Sequence, residues 1–388
     1  MQVIFAIVIL VISFALGQIV ANSRYTSHME EFLQNFVNRS AESVEPEDFT
    51  QIKIIAYEKA LFYERLIEES MLEDGMVVVR GEKGEAKHMC DSLLFSSLRY
   101  VALQKLGLDK RAARAWESIQ QSQSNGEWFR HPQCVKLGTS RDMMLGILAA
   151  FSQDPPDKRE ILLDMIKYIS ENNGFFSTGP VDVSFLLPGV ADLLRVYAEG
   201  NYIIDYSFPV NVRHGFSTME FGALYPFGGY RSHLIALSVW LEMELSEHPQ
   251  YSQYVDDDRN AIAKVAPMIN VFSLTDVKSQ RLLWISRQLF ASDPENLFFK
   301  YLWLRAAGAL NDFSRKKLLT ELLQMKQQFP DARLPTDCNR KADYLWQRHS
   351  WEYTPLSTEC HDTFTGVDFL WMASILLDKP EDHRPLAR

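Results

Sequence analysis

The sequence predicts a mainly α fold: an α/α toroid, with an inner ring of buried helices, an outer ring of amphipathic helices and a few short strands. Three observations predict it. Apolar residues recur at helical spacing along nearly the whole chain of 388 residues, whereas strand-like patterning is confined to two short stretches. Two kinds of helix alternate. LLFSSLRYVAL, MMLGILAAF, LIALSVWLEM and DFLWMASILL are apolar on nearly all faces, as a helix enclosed on every side must be. DKREILLDMIKYIS and SRKKLLTELLQMKQQ are amphipathic and charged. Finally, the buried type begins near residues 91, 142, 184, 231, 277 and 367. The first four intervals are about 40 to 50 residues, the size of a helical hairpin, and the last is roughly twice that and holds helices of its own. A solenoid is the alternative, but the hairpins share no sequence signature.

In chain order, helices are expected over Ser27 to Val37 and Pro46 to Met71. Gly75 to Arg80, followed by GEKGE, reads as a hairpin arm. Asp91 to Leu106 opens with a capping-type Asp and closes at Gly107, with Lys110 to Gln121 as its partner. Arg141 to Phe151 and Asp157 to Ser170 follow, joined through Asp154-Pro155-Pro156. Ser184 to Ala198 is apolar and interrupted by Pro188-Gly189; Asn201 to Val212 supplies a second short strand. Arg231 to Leu245, Asp258 to Val271, Asp276 to Phe290, Pro294 to Leu310, Ser314 to Phe329 and Val367 to Leu377 complete the series.

Residues Val3 to Ala15 read VIFAIVILVISFA, with no charge before Arg24. That is the length of a signal-peptide core, and Ala15-Leu16-Gly17 supplies small residues for cleavage before Gln18. No Lys or Arg precedes the core, and tolerance of Gln18 would extend it to Ala21 as an uncleaved anchor. The expected organisation is a signal peptide or N-terminal membrane anchor over 1–17 and a single toroid domain over 18–388, secreted, periplasmic or otherwise exported. Lys and Arg number 40 against 50 Asp and Glu, a formal charge of -10, which argues against a nucleic-acid partner. A membrane would be met only through the N-terminal anchor.

Four cysteines lie beyond the leader: Cys90, Cys134, Cys338 and Cys360. No CxxC pair occurs, and an even count in an exported chain suggests two disulfides. Cys90 with Cys134 and Cys338 with Cys360 close the shorter loops; four buried thiols are the plainer alternative. Asn38-Arg39-Ser40 is a usable glycosylation sequon in a eukaryotic secretory pathway. HExxH, GxSxG, GxGxxG and the phosphate-binding Gly-rich Lys motif are absent, so neither a metal nor a cofactor is expected.

The stretches just before the buried helices are polar and aromatic. They carry His88, Cys90 and Asp91; Trp128, Arg130, His131, Arg141 and Asp142; Phe175, Phe176 and Asp182; then Arg213, His214, Glu220, Tyr225, Tyr230 and Arg231. The last carries Arg348, His349, Trp351, Glu352, His361, Asp362 and Asp368. In a toroid these stretches form one rim. Flat rings beside carboxylates suit a sugar cleft, where rings stack on pyranose faces and polar groups bond hydroxyls. Hydrolysis needs two carboxyls across the glycosidic bond, one protonated and one ionised.

Ser140-Arg141-Asp142 followed by MMLGIL resembles the Arg-Asp at the start of an inner helix in six-hairpin glycosidase families. The match covers about ten residues; beyond it, the hairpin alternation extends the likeness to architecture alone. The resemblance implies substrate contact for Arg141 and Asp142 and leaves the acid and base unassigned.

The expected function is an exported glycoside hydrolase acting on a carbohydrate substrate, its acid and base drawn from Glu220, Asp91 and Asp142. Trp128, Arg130, His131, His214, Tyr230, Trp351, His361 and Asp362 join Arg141 as substrate-binding candidates. Glu220 sits in an aromatic, Gly-rich loop with no helix to cap, which favours it as general acid. Asp91 and Asp142 have helix capping as their plainer role. Arg130-His131 and His361-Asp362 have packing around a disulfide as theirs. A polysaccharide lyase using Asn211, His214 and Tyr225 or Tyr230, with Arg213 or Arg231, is a second reading. A non-catalytic exported protein that binds glycans or protein partners is a third.

Overall fold

The computed structural model describes residues 46–171, 293–337 and 360–377, with helical residues at 233, 236–237, 239–241, 243–244, 282–283, 286–287 and 289–291. The leader, the expected helices at 27–37, 184–198 and 258–271 and the expected strand at 201–212 lie outside these residues. The described residues are mainly helical, with a few strands of two or three residues.

Helix α1 spans Pro46–Ser70. Strands β1 (Leu72–Glu73) and β2 (Met76–Val77) form one antiparallel hairpin. The chain then enters β3 (Val79–Gly81) and β4 (Ala86–Lys87), a second hairpin. The expected single arm over Gly75 to Arg80 is therefore divided at Val78 between two sheets. A 3-10 turn, Met89–Asp91, leads into α2 (Ser92–Lys105). Gly107 takes a left-handed φ of 69° just past α2, which ends the helix and returns the chain into α3 (Asp109–Gln120). Strands β5 (Gln123–Ser124) and β6 (Glu127–Trp128) make a third hairpin. After a second 3-10 stretch, Pro132–Leu137, come α4 (Arg141–Phe151) and α5 (Lys158–Glu171).

Helix α6 (Leu297–Ala306) starts three residues later than expected, because the Asn296 side chain accepts from the Phe298 and Phe299 amides and caps it. Helix α7 (Asp312–Gln324) starts earlier than expected, because Asn311 and Ser314 form a reciprocal capping box. Strand β7 (Asp362–Thr363) pairs with β3, giving the sheet order β4-β3-β7, and α8 (Val367–Leu377) closes the described chain.

For α2, α3, α4 and α8 burial follows the alternation read from sequence, whereas α6, not among the expected inner helices, buries Leu297, Phe298, Phe299, Tyr301, Leu302, Trp303 and Leu304 as well. Every residue from Ser92 to Leu103 of α2 is buried, as are Met143 to Phe151 of α4 and all of α8 except Asp368. By contrast, α3 buries only Ala112, Ala115, Trp116 and Ile119. Helix α2 packs against α3, α4 and α8, and α8 packs in turn against α1 and α7. Among the described residues, the buried helices nearest the two ends, α2 and α8, are thus neighbours. Gly146 permits close approach of α4 to α2: a Cβ there would lie 3.0 Å from the Leu94 Cα. One contiguous apolar core joins these helices.

Buried polar contacts also cross it. Arg99 of α2 donates from Nε and Nη2 to the Glu64 carboxylate of α1 at 3.0 and 2.6 Å, both residues being buried. Lys59 donates to the Phe329 carbonyl and to Asp331, each at 2.7 Å, tying α1 to the chain after α7. Among the described residues no helix is long and apolar enough to cross a membrane.

Candidate functional site

The N-terminal ends of the buried helices gather three segments far apart in sequence. The first is 87–91. His88 stands in the left-handed region (φ 51°) and turns β4 into the 3-10 helix that ends at Asp91. Asp91 holds the capping position of α2, yet its side chain accepts no hydrogen bond from the helix. Its carboxylate faces Arg130 instead, with Oδ1 3.6 Å from Nη1. The Asp91 side chain is 34% exposed and that of Arg130 14%, so the pair lies at the edge of solvent.

The second segment, 130–134, is fastened to the first. Cys90 and Cys134 are joined in a disulfide, with Cα atoms 5.8 Å apart. The Leu93 amide donates to the Arg130 carbonyl at 3.1 Å. His131 is fully buried beneath this connection. Its Nδ1 accepts from the Gln133 amide at 3.1 Å, and its Nε2 lies 3.3 Å from the Glu73 carbonyl. A backbone amide can only donate, so Nδ1 is the unprotonated nitrogen and Nε2–H the donor to Glu73.

The third segment is 360–363. Strand β7 pairs Thr363 with Arg80 and Asp362 with Gly81. Lys87 Nζ then donates to Asp362 Oδ1 at 2.5 Å. That hydrogen bond holds the Lys87 amine above its ordinary range. The His361 amide donates to both oxygens of Asp337 at 3.0 and 3.1 Å, and its ring Nδ1 lies 3.7 Å from Glu82 Oε2.

Of the residues singled out from sequence, Asp91, Arg130 and Asp362 stand on this rim partly exposed, and His361 stands there exposed. Trp128 does not: it is fully buried, its ring edge-on to Phe151 at 6.5 Å. His131 is likewise spent on the loop backbone. Arg141 and Asp142 open α4, and Ser140, not Asp142, holds the capping position. Glu220, His214, Tyr230, Trp351 and Cys338 lie outside the described residues. Cys360 is itself disulfide-bonded, to a residue outside them.

Lys87, Glu82 and Asp337 join the rim without having been singled out. Lys87 and Asp362 are 275 positions apart, so no local spacing could have paired them.

A second charged cluster sits at the other end of α2. Glu244 receives Lys105 Nζ and Arg305 Nη1, each at 2.7 Å. Burial alone would push this carboxyl up, but Lys105 and Arg305 outweigh it and hold it below its ordinary range. Arg305 also donates to the Tyr301 hydroxyl at 3.1 Å, a group that burial pushes up to about 12. Every member is engaged with another, so this cluster reads as a cross-link between helices.

Chemically, the rim offers the partly exposed carboxylates Asp91 and Asp362, each beside a cation, together with Asp337, Glu82 and an exposed His88. Such a set of fixed donors and acceptors suits a polyhydroxylated ligand. No protein-family model matches the chain, and neither a curated protein nor a solved structure matches it.

Proposed function

We propose that the chain is an exported glycoside hydrolase on an α/α toroid, whose cleft is the rim built by the segments before α2, α4 and α8. The observation that carries the reading is the convergence of three segments, 87–91, 130–134 and 360–363, at the starting ends of fully buried helices. The placement of Asp91 adds to it. A carboxylate at a helix start has capping as its ordinary use, and this one caps nothing. The adjacency of α2 and α8 supports a closed ring.

In this reading Arg130 and Asp91 bond sugar hydroxyls from one side of the cleft, and Lys87, Asp362 and His361 from the other. Trp128 and His131 support the rim from below without touching the ligand. The catalytic acid and base are drawn from Asp91, Asp142 and Glu220. The N-terminal apolar stretch directs export, as a cleaved signal peptide or an anchor.

The test is reducing-end release by the chain from Gln18 onward across neutral and uronic polysaccharides, read in parallel with absorbance near 235 nm. New reducing ends without that absorbance, reduced at least about a hundredfold by Asp91→Asn or Glu220→Gln, are the expected result. Reducing ends with the absorbance would replace hydrolysis by lyase chemistry. Silence on every substrate, with no glycan binding by calorimetry, would remove the reading altogether.

A further inference from the structure

The bond between Cys90 and Cys134 lies wholly on the rim. It joins two 3-10 turns, Met89–Asp91 and Pro132–Leu137, and no core helix contributes a sulfur to it. Below it, α2 and α4 meet directly through buried apolar faces, with Gly146 against Leu94. The contact between these helices therefore does not run through the disulfide.

What does run through it is the relation of Asp91 to Arg130. Asp91 follows Cys90 immediately, and Arg130 lies four residues before Cys134. Their charged groups are 3.6 Å apart, beyond hydrogen-bond reach, so the pair alone is a weak tie between two partly exposed side chains. On the far side the 130–134 segment is fixed to the β1–β2 turn, by His131 to the Glu73 carbonyl and by Gln133 Nε2 to Asp74 Oδ2 at 2.7 Å. One main-chain bond, Leu93 to Arg130, accompanies the disulfide on the near side. The two sulfurs are also unequally placed: Cys90 is partly exposed, whereas Cys134 is 5% exposed.

We propose that Cys90–Cys134 is a redox-controlled clamp that positions Asp91 against Arg130, and that a dithiol reductant releases the rim while the helical core stays folded. The proposal deepens the rim reading above and names a positioning role for both cysteines. A thiolate of the dithiol attacks the Cys90 sulfur; the S–S bond breaks, and Cys134 leaves as a thiolate that takes up a proton. The second thiol of the reductant then displaces Cys90 from the mixed disulfide. Two protein thiols and one oxidised dithiol result, a transfer of two electrons and two protons.

The experiment compares the full mature chain, oxidised and in dithiothreitol, with Cys90→Ser/Cys134→Ser under both conditions. Amide hydrogen exchange is read over 88–93 and 129–137 and over the interiors of α2 and α4. Far-UV circular dichroism and reducing-end release accompany it. Opening the bond is expected to speed exchange on the rim by at least about tenfold, leaving the α2 and α4 interiors and the dichroism unchanged. In the double variant the rim is already fast, and dithiothreitol adds nothing; this separates the bond from the one at Cys360. Reoxidation of the wild type restores slow exchange and any hydrolysis together.

Unchanged rim exchange on opening would overturn the proposal. So would parallel loosening of the core helices, which would make the bond a staple of the whole fold. If the rim loosens as expected but no form of the chain acts on any glycan, the clamp stands and the hydrolase reading falls.

Discussion

Arg99 ties α2 to α1 through a buried ion pair. Its guanidinium makes a two-pronged bond to Glu64, which is 0% exposed, and it is itself 3% exposed. Replacement by Met keeps the apolar stem and removes the charge. Glu64 is then buried with no cation in contact, the circumstance in which breaking an ion pair costs about 3–5 kcal/mol. Glu68 adds little to that cost, because it keeps Arg111 at 3.2 Å and Arg114 at 2.6 Å.

The reverse replacement, Glu64→Leu, is cheaper. Arg99 still has Glu68 3.7 Å away, and Glu68 is partly exposed. A cost of about 1–3 kcal/mol is expected for it, since the stranded cation retains a partner. The double replacement Glu64→Leu/Arg99→Met removes both charges and leaves apolar groups in contact, so it should lie within about 1 kcal/mol of wild type or above it. The assay is urea unfolding at pH 7 by dichroism for all four proteins, analysed as a double-mutant cycle. The reasoning fails if Arg99→Met costs under about 1 kcal/mol, or if the double variant is no more stable than Arg99→Met.

Other perturbations follow from the same structure. Gly366→Ala places a Cβ 2.3 Å from the Tyr63 ring at a φ of 67°. Tyr63 cannot yield, being stacked on Phe369 at 5.0 Å and bonded to the Pro330 carbonyl, so a loss of about 2–4 kcal/mol in chemical denaturation is expected. Glu244 is held below its ordinary value in the folded chain, so its contribution is present above the unfolded value near pH ~4.3 and lost as pH falls through the folded one. Melting temperature should accordingly drop on acidification below that point, with a shallower drop in Glu244→Gln; equal slopes would refute the assignment. Trp116 Nε1 donates to the Pro156 carbonyl at 3.2 Å, and Trp116→Phe should cost at least about 1 kcal/mol by the same urea assay.

Sequence carried the helices well where local chemistry decides them. The bounds of α4 and α8 agree with the expectation residue for residue, because each has an abrupt change from polar loop to all-apolar run. Other ends moved where a side chain acts at short range, as with Asn296 and the Asn311–Ser314 box. Strand pairing was not legible: β3 finds its second partner at Asp362–Thr363, and nothing in either stretch specifies the other. Arg99 was a signal left unused, since an arginine within an otherwise apolar helix implies a buried carboxylate opposite. His131 shows a different limit. A histidine ahead of Pro132 in a polar loop reads as ligand-facing, yet its two nitrogens are consumed by backbone groups at Gln133 and Glu73, one of them 58 residues away.

The rim and the core thus obey different rules within the same few residues. From Ser92 to Leu103 α2 is closed to solvent, and its position follows from apolar packing against three helices. One residue earlier, Asp91 directly follows a disulfide-bonded cysteine, with a strand hairpin before that. Its side chain makes no capping hydrogen bond to the helix. On the clamp proposal, the rim changes shape without cost to the core, and weakening the core leaves Asp91 in place. Arg99→Met and the opening of Cys90–Cys134 test the two halves of that separation. The first should lower global stability while leaving rim exchange in the folded state unchanged. The second should loosen the rim at unchanged core protection, and a rim response to Arg99→Met in the folded protein would join the two into one cooperative unit.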